Sequence, residues 1–222
     1  ADHSGLKAWP CVGNHDVFGW SGQHGVGQDH AKYGKKLMQD ELELAQTYYR
    51  FDKKGWRFYV LDSIQPVPRD GGFHYKAGFD DAQYDWLKND LGEKDPQMPA
   101  VVVTHIPILS VTGIRDTPRT MADGYYRLGG GTMFVGAPTL TKLFAKHGVK
   151  LALSGHLHEI DRIEFGSVTF ICDGAVSGGW WHGPNVDNVV ETQEGFGIID
   201  IRPDGTFDHR YFDYGWKGSD EV

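Results

Sequence analysis

Continuous apolar runs form the most regular pattern along this chain of 222 residues. They occupy positions 99–104, 150–154 and 167–172, and a shorter run occupies positions 9–12. Runs without polar alternation are typical of strands that are covered on both faces of a sheet. We therefore predict that these four segments are buried strands.

Two other segments carry apolar residues at helical spacing. The first, at 82–91, has an acidic N-cap candidate in Asp80 or Asp81 and a candidate stop in Gly92. The second ends near His147, which the spacing places at the end of a helix rather than in a metal site. Helices that alternate with buried strands predict the α/β class.

Two β-hairpins are predicted where short strand-like runs flank a turn that contains glycine. One hairpin pairs 48–51 with 56–61, and the other pairs 196–201 with 206–211. With 40% hydrophobic residues and no internal repeat, we expect the whole chain, 1–222, to form a single domain around one core.

A formal net charge of -8 argues against a nucleic-acid groove. The only concentration of basic residues is Lys32, Lys35 and Lys36, which we predict to lie on a solvated helix face. No apolar stretch has the length of a membrane span. Two cysteines, Cys11 and Cys172, are too few for a disulfide framework, and their apolar contexts favour two buried free thiols.

Three short histidine motifs carry the candidate chemistry. They are Gly-Asn-His-Asp at 13–16, Thr-His-Ile-Pro at 104–107 and Gly-His-Leu-His at 155–158. Each follows an apolar run, at the carboxyl end of a predicted strand, which is where ligands gather in α/β sheets. Amide oxygen and imidazole nitrogen suit Zn, Mn or Fe. The candidate metal ligands are Asn14, His105, His156 and His158.

Glycines at the strand exits fit the same interpretation. Gly13 and Gly155 lie next to candidate ligands. A sharp exit that brings the backbone close to an ion is easiest without a side chain. We therefore expect both glycines to allow a close approach at the site.

In sequence and order, the three motifs resemble those of the calcineurin-like metallophosphoesterases. The resemblance covers nearly the whole chain. It implies that Asn14, His105 and His156 bind one metal ion and that His158 binds a second. In that family two transition-metal ions, of Mn, Fe or Zn, act together.

The resemblance also implies a mechanism and a fold. His15 is expected to donate a proton to the leaving group, and Asp16 to orient the His15 ring. The implied reaction is metal-dependent hydrolysis of small-molecule phosphoric esters, monoesters or diesters, by a metal-activated hydroxide. The implied fold is a four-layer α/β/β/α sandwich with two mixed sheets.

One departure from the family pattern changes the expectation. The Asp-x-His and Gly-Asp-x-x-Asp motifs that open those enzymes do not occur in this sequence. We therefore expect an N-terminally incomplete domain that lacks its first strands, has the missing segment as a partner and holds at most one metal ion tightly. The alternative is a non-catalytic scaffold or binding protein that keeps the fold with an incomplete metal site.

Two further segments leave alternatives open. In the Gly-Gly-Trp-Trp-His region, Trp181 and His182 would contact substrate if the segment rims the site, whereas packing inside the domain is the simpler explanation. The long stretch with Arg115, Arg119 and Arg127 is predicted to be a solvated loop rather than a phosphate clamp. Richness in Trp and Tyr, and the likeness of this region to exported bacterial members, favour an extracytoplasmic location over a cytoplasmic one.

Overall fold

The computed structural model describes residues 5–20, 25–116, 119–120, 126–127, 130–186 and 190–217. Within these ranges the helices are α1 Lys36–Glu41, α2 Asp81–Glu93, α3 Val111–Asp116 and α4 Ala137–Lys146, and a 3-10 turn spans Asn14–Asp16. The strands are β1 Tyr49–Lys53, β2 Trp56–Val60, β3 Ile64–Arg69, β4 Gly72–Ala77, β5 Ala100–Val103, β6 Arg119–Thr120, β7 Tyr126–Arg127, β8 Val149–Ser154, β9 Asp161–Phe165, β10 Val168–Cys172, β11 Asn185–Val186, β12 Glu191–Thr192, β13 Gly195–Ile201 and β14 Phe207–Asp213.

The centre of the fold is a six-stranded mixed sheet in the order β1-β2-β5-β8-β10-β9. The four inner strands are parallel, and β1 and β9 pair antiparallel at the two edges. The remaining described strands form two-stranded antiparallel sheets. Because parallel strands end at the same edge, the loops after β2, β5, β8 and β10 meet there.

The central sheet is covered on both faces. On one face, Leu87 of α2 and Phe144 of α4 belong to the larger hydrophobic core. On the other face, Trp56 and Leu151 pack with Phe207 of the β13–β14 hairpin. The structure thus has a helix layer, a mixed sheet and a second β layer, and it confirms the predicted α/β class and sandwich arrangement.

Most predicted elements are confirmed, with two corrections. Both hairpins, both helices and the three longer apolar strands are present. Residues 9–12, however, form no strand, although Val12 is fully buried. Gly92 does not stop α2, which continues to Glu93, and Lys94 follows in an extended conformation.

The three lysines do not form a simple solvated face. Lys35 is half-buried and pairs with the buried carboxylate of Asp62, whereas Lys32 and Lys36 pair with Asp40 near the surface. The prediction of a solvated position is therefore wrong for Lys35, whose bond to Asp62 links the start of α1 to the end of β2.

The predicted arginine loop is also partly ordered. Arg115 belongs to α3 and forms an ion pair with buried Glu159 at 2.8 Å, so it is not simply solvated. The side chains of Arg119 and Arg127 lie outside the described residues. None of the helices in the described part of the chain has the length and apolar character that a bilayer crossing requires.

The two cysteines are free thiols, as predicted. Cys172 is buried, and its Sγ lies 3.0 Å from the Gly155 carbonyl oxygen. Cys11 is partly exposed as a residue, so the predicted burial is confirmed for Cys172 alone, and Cys11 Sγ lies 3.3 Å from the Leu61 carbonyl oxygen. Burial raises the pKa of each thiol to about 12, so both remain protonated at neutral pH.

Candidate metal centre

The three motifs meet at the carboxyl edge of the central sheet. His105 follows β5, and His156 follows β8, two adjacent parallel strands. The backbone amide of Gly155 donates to the carbonyl of His105 at 3.0 Å, which fixes one loop against the other. Asn14 reaches the same point from the 3-10 turn. Strand pairing thus brings His105 and His156 together from 51 positions apart, and the 3-10 turn adds Asn14, which lies 142 positions from His156.

Three polar side-chain atoms converge at this point. Asn14 Oδ1 lies 2.8 Å from His105 Nε2 and 3.1 Å from His156 Nδ1, and the two nitrogens are 3.2 Å apart. The circle through these atoms has a radius of about 1.8 Å, which is shorter than a Zn–N bond of roughly 2.0–2.1 Å. A point about 1 Å from their plane therefore lies at bonding distance from all three atoms. The donor set fits one transition-metal ion.

Backbone carbonyls orient two of the imidazoles. His156 Nε2 donates to the carbonyl of Gly131 at 2.8 Å, which leaves the lone pair on Nδ1, the atom that faces Asn14. His158 Nδ1 donates to the carbonyl of Gly178 at 2.8 Å, which leaves the lone pair on Nε2. Metal-binding histidines are commonly held by such a bond from their other nitrogen. The tautomers are thus the ones that metal ligation requires.

The electrostatic environment keeps two of the rings neutral. Burial, with repulsion from His156, His15 and His158, lowers the pKa of His105 to about 3. Burial also lowers the pKa of His156, and the Gly131 carbonyl opposes that shift. A neutral imidazole is the form that binds a metal ion.

Backbone strain is concentrated in the Gly-His-Leu-His motif. His156 has φ +74°, and the amide of Leu157 donates to the carbonyl of Gly155 at 2.9 Å, so His156 is the centre of a rare positive-φ γ-turn. His158 has φ +59°, which costs a residue with a side chain about 1–2 kcal/mol. Such strain is concentrated at functional sites in proteins.

Only one of the two motif glycines has the predicted tight surroundings. A Cβ atom on Gly13 would lie 3.1 Å from the His105 ring and 3.3 Å from Asp16, so a side chain there would crowd the site. A Cβ on Gly155 would meet nothing within 4 Å, and the close-approach prediction is wrong for Gly155.

His15 lies beside the three-atom cluster. It is exposed, and its ring contacts Trp180 edge-on with centroids 4.9 Å apart. The Asp16 carboxylate accepts from the backbone amide of Gly13 at 2.7 Å. The contact between Asp16 and the His15 ring that the resemblance implied is therefore not the contact that Asp16 makes here.

The family identity rests on comparison of the sequence. A profile of the calcineurin-like phosphoesterases matches residues 3–159, which is more than half of the chain. The matched region includes all three histidine motifs. This chain belongs to the calcineurin-like phosphoesterase family. Phosphoester hydrolysis with two metal ions is the general chemistry of that family. The comparison with curated proteins found no match.

Two solved structures are similar to this phosphoesterase chain over part of its length. A dimetal phosphatase from Danio rerio is 16% identical, with a TM-score of 0.40, over 62% of this chain and 51% of that one. GAP50, the anchor in the inner membrane complex of Plasmodium, is 15% identical, with a TM-score of 0.37, over 67% of this chain and 44% of that one. The chain thus spans about half the length of either structure.

Among the described residues of this phosphoesterase chain, donor atoms of three candidate ligands converge at one point. Within the described ranges, no three His, Cys, Asp or Glu side chains gather in a geometry that could hold a metal ion. The Asn14 cluster contains only two such residues, since its third member is an amide. His158 lies next to the cluster, with the Gly178 carbonyl and the Trp180 ring as its neighbours.

Trp180 is the residue that the sequence interpretation missed. Its ring contacts both His15 and His158, with centroids 4.9 and 5.1 Å apart, and it is 57% exposed. Trp181, the residue singled out from the sequence, instead contacts Trp216 at 5.5 Å. His182 is exposed. Its role and that of Trp181 in substrate binding stay predictions.

Proposed function

We propose that this chain is a metal-dependent hydrolase of phosphoric esters. The observation that carries the proposal is the convergence of Asn14, His105 and His156 on one point at the carboxyl edge of the sheet. Membership of the phosphoesterase family supports the reaction class. Monoesters and diesters both fit, because the described residues at this point contain no feature that separates them.

Each side chain of the centre has a distinct task. Asn14, His105 and His156 would hold one ion, and His158, with its free Nε2 lone pair, would be the first ligand of a second ion. When bound, such an ion supplies Lewis acidity toward a phosphoryl oxygen and makes water more acidic. Substrate phosphate would therefore lie on the solvent side of the cluster.

His15 would act on the other end of the scissile bond. The oxygen of water forms the new bond to phosphorus, the ester P–O bond breaks, and the departing oxygen keeps the electron pair and takes a proton from His15. One proton of the attacking water passes to solvent, and the other stays on the oxygen that has become part of the phosphate product. The exposed position of His15 allows it to be reprotonated from solvent between turnovers.

The non-catalytic alternative has one observation in its favour. Among the described residues, His158 has a carbonyl and an indole beside it, and it does not belong to a group of three His, Cys, Asp or Glu side chains that could hold a second metal ion. A scaffold or binding protein would need no second ion. The two proposals differ in whether metal binding produces turnover.

Metal binding and turnover, measured on the same samples, separate the proposals. The purified chain would be titrated with Mn²⁺ or Zn²⁺ and assayed on 4-nitrophenyl phosphate and bis(4-nitrophenyl) phosphate. We expect His156→Ala to weaken metal affinity at least about 100-fold, because it removes a direct ligand rather than an outer-shell partner.

His147→Ala is the matched control, because it removes an imidazole at the end of α4, away from the centre. It should bind metal and turn over ester like the unchanged chain. Metal binding without turnover on either ester would support the scaffold alternative. Equal metal affinity in both variants would refute the proposed centre.

A further inference from the structure

A cavity of about 450 Å³ opens beside His15. Its volume is within the roughly 300–1,000 Å³ range of small-molecule pockets. The cavity lies between the 3-10 turn that carries His15 and one face of α1. Its apolar wall consists of Val17, Phe18, Leu37, Met38 and Leu42.

The apolar wall of the cavity contains one buried side chain and others that are partly exposed. Met38 is buried at 7% exposure and belongs to the main core, so the floor of the cavity is anchored. Leu42 is 46% exposed and Leu37 is half-buried, so both still offer apolar surface to a ligand. Ligand pockets are commonly apolar with a few well-placed polar groups.

The charge around the cavity is negative. Asp16 and Glu41 line it, and its described lining includes no Lys or Arg. The nearest lysines on and before α1 are directed elsewhere, because Lys32 and Lys36 pair with Asp40 and Lys35 pairs with Asp62. An anionic group in this cavity would therefore meet two carboxylates, and among the described lining residues the proton-donating imidazole of His15 would be the one group able to offset its charge.

We propose that this cavity receives the leaving alcohol of the substrate and that the preferred substrates are esters of uncharged, apolar alcohols. The inference rests on the proposed function, because it takes His15 as the proton donor to the leaving oxygen. His15 lies at the junction of the cavity and the metal-binding cluster. An ester with its phosphorus at the cluster would place its alcohol oxygen near His15 and its apolar group against Leu37 and Leu42.

The first test measures binding without turnover. Calorimetry would compare 1-naphthol with a hydroxynaphthoate on the metal-free chain. Naphthol is expected to bind at least about 10-fold more tightly, since the carboxylate would face Asp16 and Glu41. Leu42→Glu should weaken naphthol binding about 10-fold or more by placing a third carboxylate in the apolar wall.

The control for this test is Phe165→Ala. Phe165 is 60% exposed at the end of β9, on the opposite end of the sheet, so its loss removes exposed apolar surface without touching the cavity. Naphthol binding should be unchanged in that variant. Equal naphthol binding by the unchanged chain and Leu42→Glu would overturn the inference, as would equal binding of the two ligands.

The second test separates this inference from the proposed function. With Mn²⁺ present, kcat/KM would be measured for naphthyl phosphate and its carboxylated analogue. The kcat/KM of each ester should fall about 10-fold or more in Leu42→Glu and stay constant in Phe165→Ala. Because each substrate is compared with itself in the variants, intrinsic leaving-group reactivity cancels.

The outcomes are distinct. Turnover of both esters with kcat/KM values that Leu42→Glu does not change would overturn the leaving-group cavity and leave the proposed function intact. Absence of turnover on every ester would refute the proposed function, and the assignment of a leaving group to the cavity would fail with it. Circular dichroism would verify that Leu42→Glu, a change at a partly exposed position after α1, keeps the fold.

Discussion

Replacing His15 with alanine should separate catalysis from metal binding. The His15 side chain is exposed and is not among the three atoms that converge at the candidate centre. Its ring contact is with Trp180, at 4.9 Å. We therefore expect His15→Ala to slow turnover strongly while metal affinity and folding stability stay nearly unchanged.

The expected magnitude distinguishes a proton donor from a structural residue. An edge-on ring pair contributes at most about 1.5 kcal/mol, so loss of the contact with Trp180 accounts for about a 10-fold effect. General acid catalysis contributes roughly 100- to 10,000-fold. A loss of kcat above about 100-fold thus indicates proton donation and exceeds what the ring contact alone could cause.

The assay compares His15→Ala with Trp180→Ala, which removes the same ring contact from the other side. Both variants would be tested on an aryl and an alkyl ester, with metal content measured in each sample. The loss of kcat in His15→Ala should be larger for the alkyl ester than for the aryl ester, because a poorer leaving group depends more on protonation of its oxygen. Trp180→Ala also removes the ring contact with His158, and it should lose less kcat on the alkyl ester than His15→Ala does.

Three results would refute this reasoning. Loss of metal from His15→Ala would mean that His15 is a ligand. Equal losses in His15→Ala and Trp180→Ala would reduce His15 to a packing role. Retained turnover would place the proton donor elsewhere.

Three further predictions follow from the geometry. The chain should bind one equivalent of Zn²⁺ or Mn²⁺ by elemental analysis, since its described residues bring three donors to one point only; two tightly held equivalents would reveal ligands not recognised among them. In the metal-free chain, the free energy of unfolding should fall by up to roughly 4 kcal/mol as pH drops from about 6.5 toward about 3. The reason is that the folded state lowers the pKa of His105 to about 3, whereas the unfolded state takes up the same proton near 6.5. Urea unfolding at several pH values should show a weaker pH dependence in His105→Asn. Cys11 and Cys172 should react slowly with a thiol reagent at pH 8 in the native chain and completely after unfolding, since burial raises both pKa values to about 12; rapid native labelling would contradict this.

The proximity of His105 and His156 was predictable because both residues follow strands whose apolar sequences indicate burial. The apolar runs before His105 and His156 identify parallel strands, and parallel strands end at one edge. Residues 9–12 show the limit of this argument. Trp9 stacks on Phe51 at 4.2 Å and Val12 is buried, yet the segment forms no strand. An apolar run predicts that a segment is buried, but whether the segment forms a strand depends on whether a neighbouring strand is available to pair with it.

Trp180 could not be chosen over Trp181 from the sequence. Both residues have positive φ, +62° and +65°, in a turn where the amide of Trp181 donates to the carbonyl of Ser177. Such a turn does not follow the alternation of a strand or the spacing of a helix, so neighbouring side chains point in directions that no periodicity predicts. Only the fold shows which indole faces His15 and His158. The positive φ values of Trp180 and Trp181, which set the directions of the two side chains, are known only from the structure.

The charge of the three donor side chains determines the net charge that the candidate centre would have with a metal ion bound. One amide and two imidazoles are all uncharged, and the low pKa values of His105 and His156 keep them so. A dication held by them would therefore keep its whole double charge, whereas each carboxylate ligand would cancel one unit. The loaded centre would be an anion receptor in its own right, inhibited by free phosphate and sensitive to chloride. Asn14→Asp would keep the size of the ligand, halve the local charge and convert the centre to a two-histidine, one-carboxylate face of the kind that favours Fe(II).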